Sequence, residues 1–240
     1  MELSMRIYSL HDWALSPGEA VQLQKDLARK VQLQPLESST HTIAAVDVSF
    51  NLGGHWLFGA VVVVDRHDLT VIEQQTACEP MTFPYIPGLL SFREIPVLLK
   101  AFGKLQTQPD VVICDGQGIA HPRRLGIASH LGLWLGMPTI GCAKTLLCGT
   151  YEPPGDQRGD QAVIWDHGDK IGRALRTRSK VKPVFVSPGH LCDVEQAVDL
   201  ILAVTPKYRL PEPIRQAHNL ANEIRRQAPP ERPSSQPEPL

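Results

Sequence analysis

The chain has 240 residues, 42% of them hydrophobic, with a formal net charge of -1 and an isoelectric point near 6.7. That length allows one sizeable core or two small ones, and the near-neutral balance supplies no global attraction toward nucleic acid or an anionic membrane, so an anionic partner has to be met by local clusters. No basic region followed by an apolar stretch opens the chain and no apolar run approaches the ~20 residues of a membrane span, while the five cysteines show no CxxC pair; an unexported, cytoplasmic protein without a membrane partner is expected.

Residues 16 to 31 open with SPGE, where Ser16 can cap a helix and Pro17 can begin it. Thr42 to Phe50, Trp56 to Asp65 and Thr70 to Ala77 are β-rich runs separated by turn residues, which predicts an antiparallel meander. Helical and extended stretches then alternate: Ile95 to Leu105, Val111 to Asp115, Leu125 to Leu135, Thr139 to Ala143. Val184 to Val186 reads as a short strand, and Asp193 to Val204 and Pro213 to Arg226 as helices. Three antiparallel strands followed by βαβ units predict an α/β fold, a mixed sheet flanked by helices. A single domain over residues 1–227 is expected, followed by a Pro-rich tail, 228–240, whose composition cannot support a core.

The stretch Asp110 to Leu131, DVVICDGQGIAHPRRLGIASHL, carries the strongest functional signal. It sets Asp115 at the end of an apolar run, follows it with a two-glycine loop and then supplies His121, Arg123 and Arg124, the layout of a site at the carboxyl end of a sheet strand. An Asx turn into Gly116 explains Asp115 alone equally well. Asp47 lies among valines in TIAAVDVSF, where a carboxylate without a cation or hydrogen-bond partners is costly, so a functional role is favoured. Glu94 has two readings. In Ser91-Phe92-Arg93-Glu94 it completes a capping box, but Pro96 then falls at the fifth helical position, and a later helix start frees Glu94 to point elsewhere.

His218 borders the apolar face of its helix, where a histidine is more often structural than functional; Lys144 follows TIGCA at a strand end as Asp115 follows VVIC. Asp47, Glu94 and Asp115 together are hard oxygen ligands of the kind Mg²⁺ takes, whereas His190 and Cys192 lack zinc spacing. Lys170, Arg173, Arg176, Arg178, Lys180 and Lys182 fall within thirteen residues free of acids, a solvated face or a phosphate-binding one.

The segments AAVDVSF, FPYIPGLLSFRE, CDGQGIAHPRRLGIASHLG, TIGCAK, PVFVSPGH and LPEPIRQAH, in this order, resemble endonuclease V, the deoxyinosine-directed nuclease of the ribonuclease H-like fold, from about Tyr8 to Arg226. The chain departs at Thr145, where relatives often carry serine or lysine. The resemblance implies that Asp47 and Asp115 bind Mg²⁺ (or Mn²⁺), that Glu94 and His218 complete the metal and water arrangement, and that Lys144 stabilises the phosphate. It implies hydrolysis of the second phosphodiester bond 3′ to the lesion, leaving 3′-hydroxyl and 5′-phosphate ends, in single- or double-stranded DNA containing deoxyinosine; separately, a monomer is expected. Inosine-containing RNA is a second candidate substrate, and a ribonuclease H-like binding module without chemistry a third reading.

In that scheme Pro84, Tyr85, Ile86, Pro87, Gly88 and Leu89 form a stiff wedge pushed into the base stack beside a flipped nucleotide. Hypoxanthine carries an acceptor O6, which the backbone N–H groups of Gly116, Gln117, Gly118 and Ile119 are expected to face. His121, Arg123 and Arg124 hold nearby phosphates, or tie their loop to the following helix.

Overall fold

A computed structural model describes residues 5–37 and 40–228. The Pro-rich tail expected from residue 228 therefore lies, beyond Ala228, outside the described residues. Helix α1 (Pro17–Ala28) starts as its sequence predicts: Ser16 accepts from the Glu19 N–H and the Glu19 carboxylate accepts from the Ser16 N–H.

An eight-stranded sheet follows, in the order β3-β2-β1-β4-β5-β8-β7-β6. Its strands are β1 (Thr42–Phe50), β2 (Trp56–Asp65), β3 (Val71–Pro80), β4 (Val111–Cys114), β5 (Thr139–Ala143), β6 (Gln161–Asp166), β7 (Asp169–Leu175) and β8 (Val184–His190). The expected meander is β1–β2–β3, and β4 and β5 add parallel to β1. Beyond β5 the sheet turns antiparallel again through β8, β7 and β6, and the β6–β7 hairpin was not expected from the sequence. His167 and Gly168 both have positive φ (52° and 88°), as a type I′ hairpin turn requires.

Alternation along the strands splits the core in two. Ala44, Val46, Val112 and Cys114 pack toward α2 (Leu90–Phe102) and α3 (Ile127–Leu135), while Ile43, Ala45, Val111, Ile113, Ile140 and Cys142 pack toward α4 (Val194–Ala203) and α5 (Glu212–Gln227). Both faces of the central strands are buried, which is why they read as continuous apolar runs. Among the described residues no helix is long and apolar enough to cross a membrane.

Helix α2 corrects both readings of Glu94. It begins at Leu90, so Ser91 is not a cap: it lies inside the helix, buried, with its hydroxyl 3.0 Å from Nδ1 of His130. Pro96 is accommodated in the helix interior, and Glu94 sits in the first turns rather than before a later start. Leu89 and Phe92 pack with Phe83 and Ala20, and this tertiary burial outweighs the local proline penalty.

Candidate active site at the carboxyl ends of β1, β4 and β5

Strand register assembles the site. In the parallel β1–β4 pair Val46 stands opposite Cys114, so the next residues, Asp47 and Asp115, fall side by side on strands about 4.8 Å apart. Residue parity sends both, and Lys144 beyond β5, toward the α5 side of the sheet. Helix α5 brings His218 there: its Nδ1 lies 2.8 Å from Asp47 Oδ2. Lys144 Nζ lies 2.5 Å from Asp115 Oδ2. Glu94 comes from α2, half-buried, close enough to both aspartates for their charges to act on it.

These carboxylates are in electrostatic conflict. Burial pushes Asp47 above the usual carboxylate range and Asp115 adds to the shift, against the His218 hydrogen bond and charge. Burial, with the Asp47 and Asp115 charges, pushes Glu94 up to about 8, and only Arg93 opposes it. Three carboxylates driven together against their charge suit a hard divalent cation. Among the described residues no three His, Cys, Asp or Glu side chains already converge as a ready cage, and Lys144 and His218 are the groups seated on Asp115 and Asp47. The donor set fits such an ion, with Asp47, Asp115 and Glu94 as its oxygen donors and His218 beside them.

Next to the carboxylates lies a cleft of about 300 Å³, lined among others by Tyr85, Ile86, Pro87, Gly88, Leu90, Ser91, Gln117 and Ile127, with Asp115 and Lys144 at one side. Tyr85 is 64% exposed, while Ile86 packs partly against Phe83 and Phe92 and Leu89 is buried with them. Pro84 and Pro87 flank Tyr85 and Ile86, and Gly88 turns the chain at φ 80°. The glycine loop is pressed onto the sheet. A Cβ on Gly118 would lie 2.0 Å from the Pro188 carbonyl oxygen, and one on Gly126 2.2 Å from that of Gln117.

That compression redirects the expected base donors. The N–H groups of Gly116, Gly118 and Ile119 are already given to Cys114 O, Ser187 Oγ and Pro188 O, at 2.9, 2.8 and 2.8 Å. Of the four, only that of Gln117 is left. The cleft wall offers other donors: α2 and α3 both start there without a side-chain cap, so their first N–H groups, at Leu90, Ser91 and Ile127, have no carbonyl one turn back.

His121, Arg123 and Arg124 make bonds within the chain. His121 Nε2 (3.0 Å) and Arg123 Nη2 (2.8 Å) both donate to Gly88 O, joining the glycine loop to the Tyr85-bearing segment. Arg124 reaches Asp166 (2.7 Å) and Asp169 (3.3 Å) across the β6–β7 turn. Three further residues escaped sequence reading. Asn222, one turn after His218, donates to His218 Nε2 at 3.0 Å. Arg209 donates to Lys144 O at 2.7 Å. Gln24 Nε2 reaches Gly88 O (2.9 Å) and Leu125 O (3.1 Å). Only Asn222 had a signal, its i+4 spacing from the histidine.

Comparison with known proteins shows a family. The endonuclease V family profile matches residues 25–219. Endonuclease V of Myxococcus xanthus is 49% identical over 215 residues, spanning 89% of this chain and 92% of the relative. The crystal structure of endonuclease V from Streptomyces avermitilis is similar with a TM-score of 0.86 at 43% identity, over 93% of this chain and 98% of that one. Ciona intestinalis endonuclease V, solved in complex with a 24mer DNA containing an inosine followed by a ribo-adenosine, is similar with a TM-score of 0.77 at 26% identity, over 88% of this chain and 98% of that one.

Proposed function

The chain belongs to the endonuclease V family, and from that premise we propose how its residues act as a deoxyinosine-directed DNA repair endonuclease, a hydrolase of phosphodiester bonds. The observation that carries the assignment is the side-by-side placement of Asp47 and Asp115 beside half-buried Glu94, next to a base-sized cleft bearing an exposed tyrosine.

Tyr85, stiffened by Pro84 and Pro87, enters the stack at the gap left by a flipped nucleotide. The flipped base occupies the cleft, where uncapped N–H groups at the starts of α2 and α3, with that of Gln117, face the hypoxanthine O6. Adenine places an amino donor at that position and would leave these donors unpaired, which is the costly way to fail. His121 and Arg123, fastened to Gly88, hold the wedge at a fixed distance from the glycine loop, and Arg124 anchors that loop to the β6–β7 turn.

Asp47, Asp115 and Glu94 would hold Mg²⁺, or Mn²⁺, which when bound neutralises charge on the phosphoryl oxygens and lowers the pKa of a bound water. Lys144, already at carboxylate distance from Asp115, would turn its ammonium to a non-bridging phosphate oxygen. His218 keeps its Nδ1–H on Asp47 and its Nε2 on the Asn222 amide, so the ring holds Asp47 in place; to orient the attacking water Nε2 would have to exchange the Asn222 amide for that water. Cleavage falls at the second phosphodiester bond 3′ to the lesion, giving 3′-hydroxyl and 5′-phosphate ends. A single domain through residue 227, acting as a monomer in the cytoplasm, completes the proposal.

The test uses end-labelled DNA and RNA, single- and double-stranded, with or without one hypoxanthine, in Mg²⁺ or EDTA. A metal-dependent cut displaced to the 3′ side of hypoxanthine in DNA is expected. Its absence, or stronger cutting of the RNA strand, refutes the proposed substrate.

A further inference from the structure

The six basic residues between Lys170 and Lys182 do not form one patch. Lys170 and Arg173 converge on Glu195, and Arg176 spends its guanidinium on the carbonyls of Gly155, Val181 and Pro154 and on Asp156. Arg178, Lys180 and Lys182 are exposed and, among the described residues, join no ion pair. The loop between α4 and α5 brings two more groups to them. Arg209 donates to the carbonyls of Lys182 (2.9 Å) and Pro183 (2.8 Å), and Thr177 Oγ1 donates to Arg209 O (2.6 Å), so loop and segment are locked together. Next to Arg209 stand Lys207 and Tyr208, both exposed. The Tyr208 ring is flanked by cations, with the Arg215 guanidinium carbon 3.6 Å and Lys207 Nζ 5.4 Å from its centroid. The bordering acids, Asp156 and Glu212, are paired with Arg176 and Arg215.

This surface is continuous with the carboxylates, because the same Arg209 guanidinium donates to Lys144 O at 2.7 Å. It also lies on the opposite side of them from the cleft. Leu90, Ser91 and Ile127 put the cleft at the α2 and α3 side of the sheet end, whereas Tyr208 and Arg215 border the start of α5. A strand whose base enters the cleft, and which crosses the carboxylates on its way to a bond on the 3′ side, leaves over the α5 side.

From this continuity we infer that Lys182, Lys207 and Tyr208 form the track for the substrate strand beyond the cut, on its 3′ side. The lysines meet phosphates and the exposed tyrosine face stacks on a base. Single-stranded nucleic acid is bound in this way elsewhere, by cations following the backbone and aromatic rings taking bases in turn. The inference rests on the deoxyinosine-nuclease assignment and extends it to the strand's path.

Equilibrium binding in Ca²⁺ tests it, using single strands with one hypoxanthine and either a short or a long arm on each side. Lengthening the 3′ arm is expected to tighten wild-type binding. The Lys182→Gln/Lys207→Gln double variant should lower the slope of log K against log salt by about 1.4, since each single-strand phosphate contact contributes about 0.7. At roughly 0.1 M salt this is about 25-fold weaker binding of the long-3′-arm strand, while the gain from a longer 5′ arm stays as in wild type. Tyr208→Ala should weaken the long-3′-arm complex without changing the slope. All three side chains are exposed, and an unchanged melting temperature confirms intact folding. An unchanged slope in the double variant, or an equal loss on both arms, overturns the track. A wild-type protein with no preference for hypoxanthine overturns the activity assignment instead, which separates the two failures.

Discussion

His218 presents Nδ1 to Asp47 Oδ2 at 2.8 Å, and this contact fixes which imidazole nitrogen carries the proton. An ionised carboxylate only accepts, so Nδ1 bears the hydrogen and Nε2 is left as an acceptor. Asn222 satisfies that acceptor with its Nδ2 at 3.0 Å. Its own amide is oriented by two donors on Oδ1, Ser49 Oγ at 3.0 Å and Arg225 Nη2 at 3.1 Å.

Replacing Asn222 should therefore act through the histidine. In Asn222→Ala we expect kcat to fall about 10-fold or more, the range for loss of an orienting partner, with KM little changed. The imidazole ¹⁵N shifts should report a mixture of tautomers in place of the Nδ1–H form. Asn222→Asp should shift the proton toward Nε2. An unchanged tautomer spectrum in both variants would show that Asp47 alone orients the ring.

Glu94 is held at a cost to stability that its function requires. Desolvation and the charges of Asp47 and Asp115 all disfavour its ionised form. Glu94→Gln should abolish cleavage and raise the stability of the metal-free protein at pH 8 by about 1 to 3 kcal/mol, because a desolvated carboxyl group whose ionisation two like charges oppose is replaced by a neutral isostere. Chemical denaturation in EDTA measures this. A destabilised Glu94→Gln protein would place the carboxylate in a supporting ion pair instead.

The part of the site written in strand periodicity was legible in the sequence. Asp47, Asp115 and Lys144 each follow a run that is buried on both faces, so their places at the ends of those runs were readable. What local patterns describe poorly was harder to see. The S-x-x-E at Ser91 resembles a helix start, yet burial of Leu89 and Phe92 moved the start upstream. In β6 and β7, short strands carrying Lys170 and Arg173 join through His167-Gly168, a weaker turn signal than Asn-Gly, and they read as a basic run. The use of the Gly118 and Ile119 N–H groups depends on β8, more than sixty residues away, and could not be seen locally.

The glycine loop gives a contrast between two substitutions. Gly118→Ala would place its Cβ 2.0 Å from the Pro188 carbonyl oxygen and 2.5 Å from its carbon, backbone atoms that cannot swing aside. We expect a loss of about 3 kcal/mol or more, the scale of severe overpacking. In Gly18→Ala the added Cβ meets nothing within 4 Å in the first turn of α1, and stability should rise by about 0.5 to 1 kcal/mol. Urea midpoints compare them directly; a well-tolerated Gly118→Ala would mean the loop is not pressed against β8.

His121 should make stability depend on pH. Burial, reinforced by the Arg123 charge, pushes its imidazole down to about 4, against the opposing hydrogen bond to Gly88 O. The neutral ring satisfies both nitrogens: Nε2–H donates to Gly88 O and Nδ1 accepts from the Arg123 N–H at 3.1 Å. A second proton would have to sit on Nδ1, facing that N–H. In the unfolded chain the imidazole titrates near 6.5, so between pH 6.5 and 4 the unfolded state binds more protons and stability falls with pH. The contribution is intact above pH 6.5 and is lost as pH drops toward 4, amounting to about 2 kcal/mol between pH 8 and pH 5. His121→Gln can keep a donor to Gly88 O but cannot titrate. The difference in unfolding free energy between wild type and variant should narrow by that amount at pH 5, and a constant difference would remove His121 as the source.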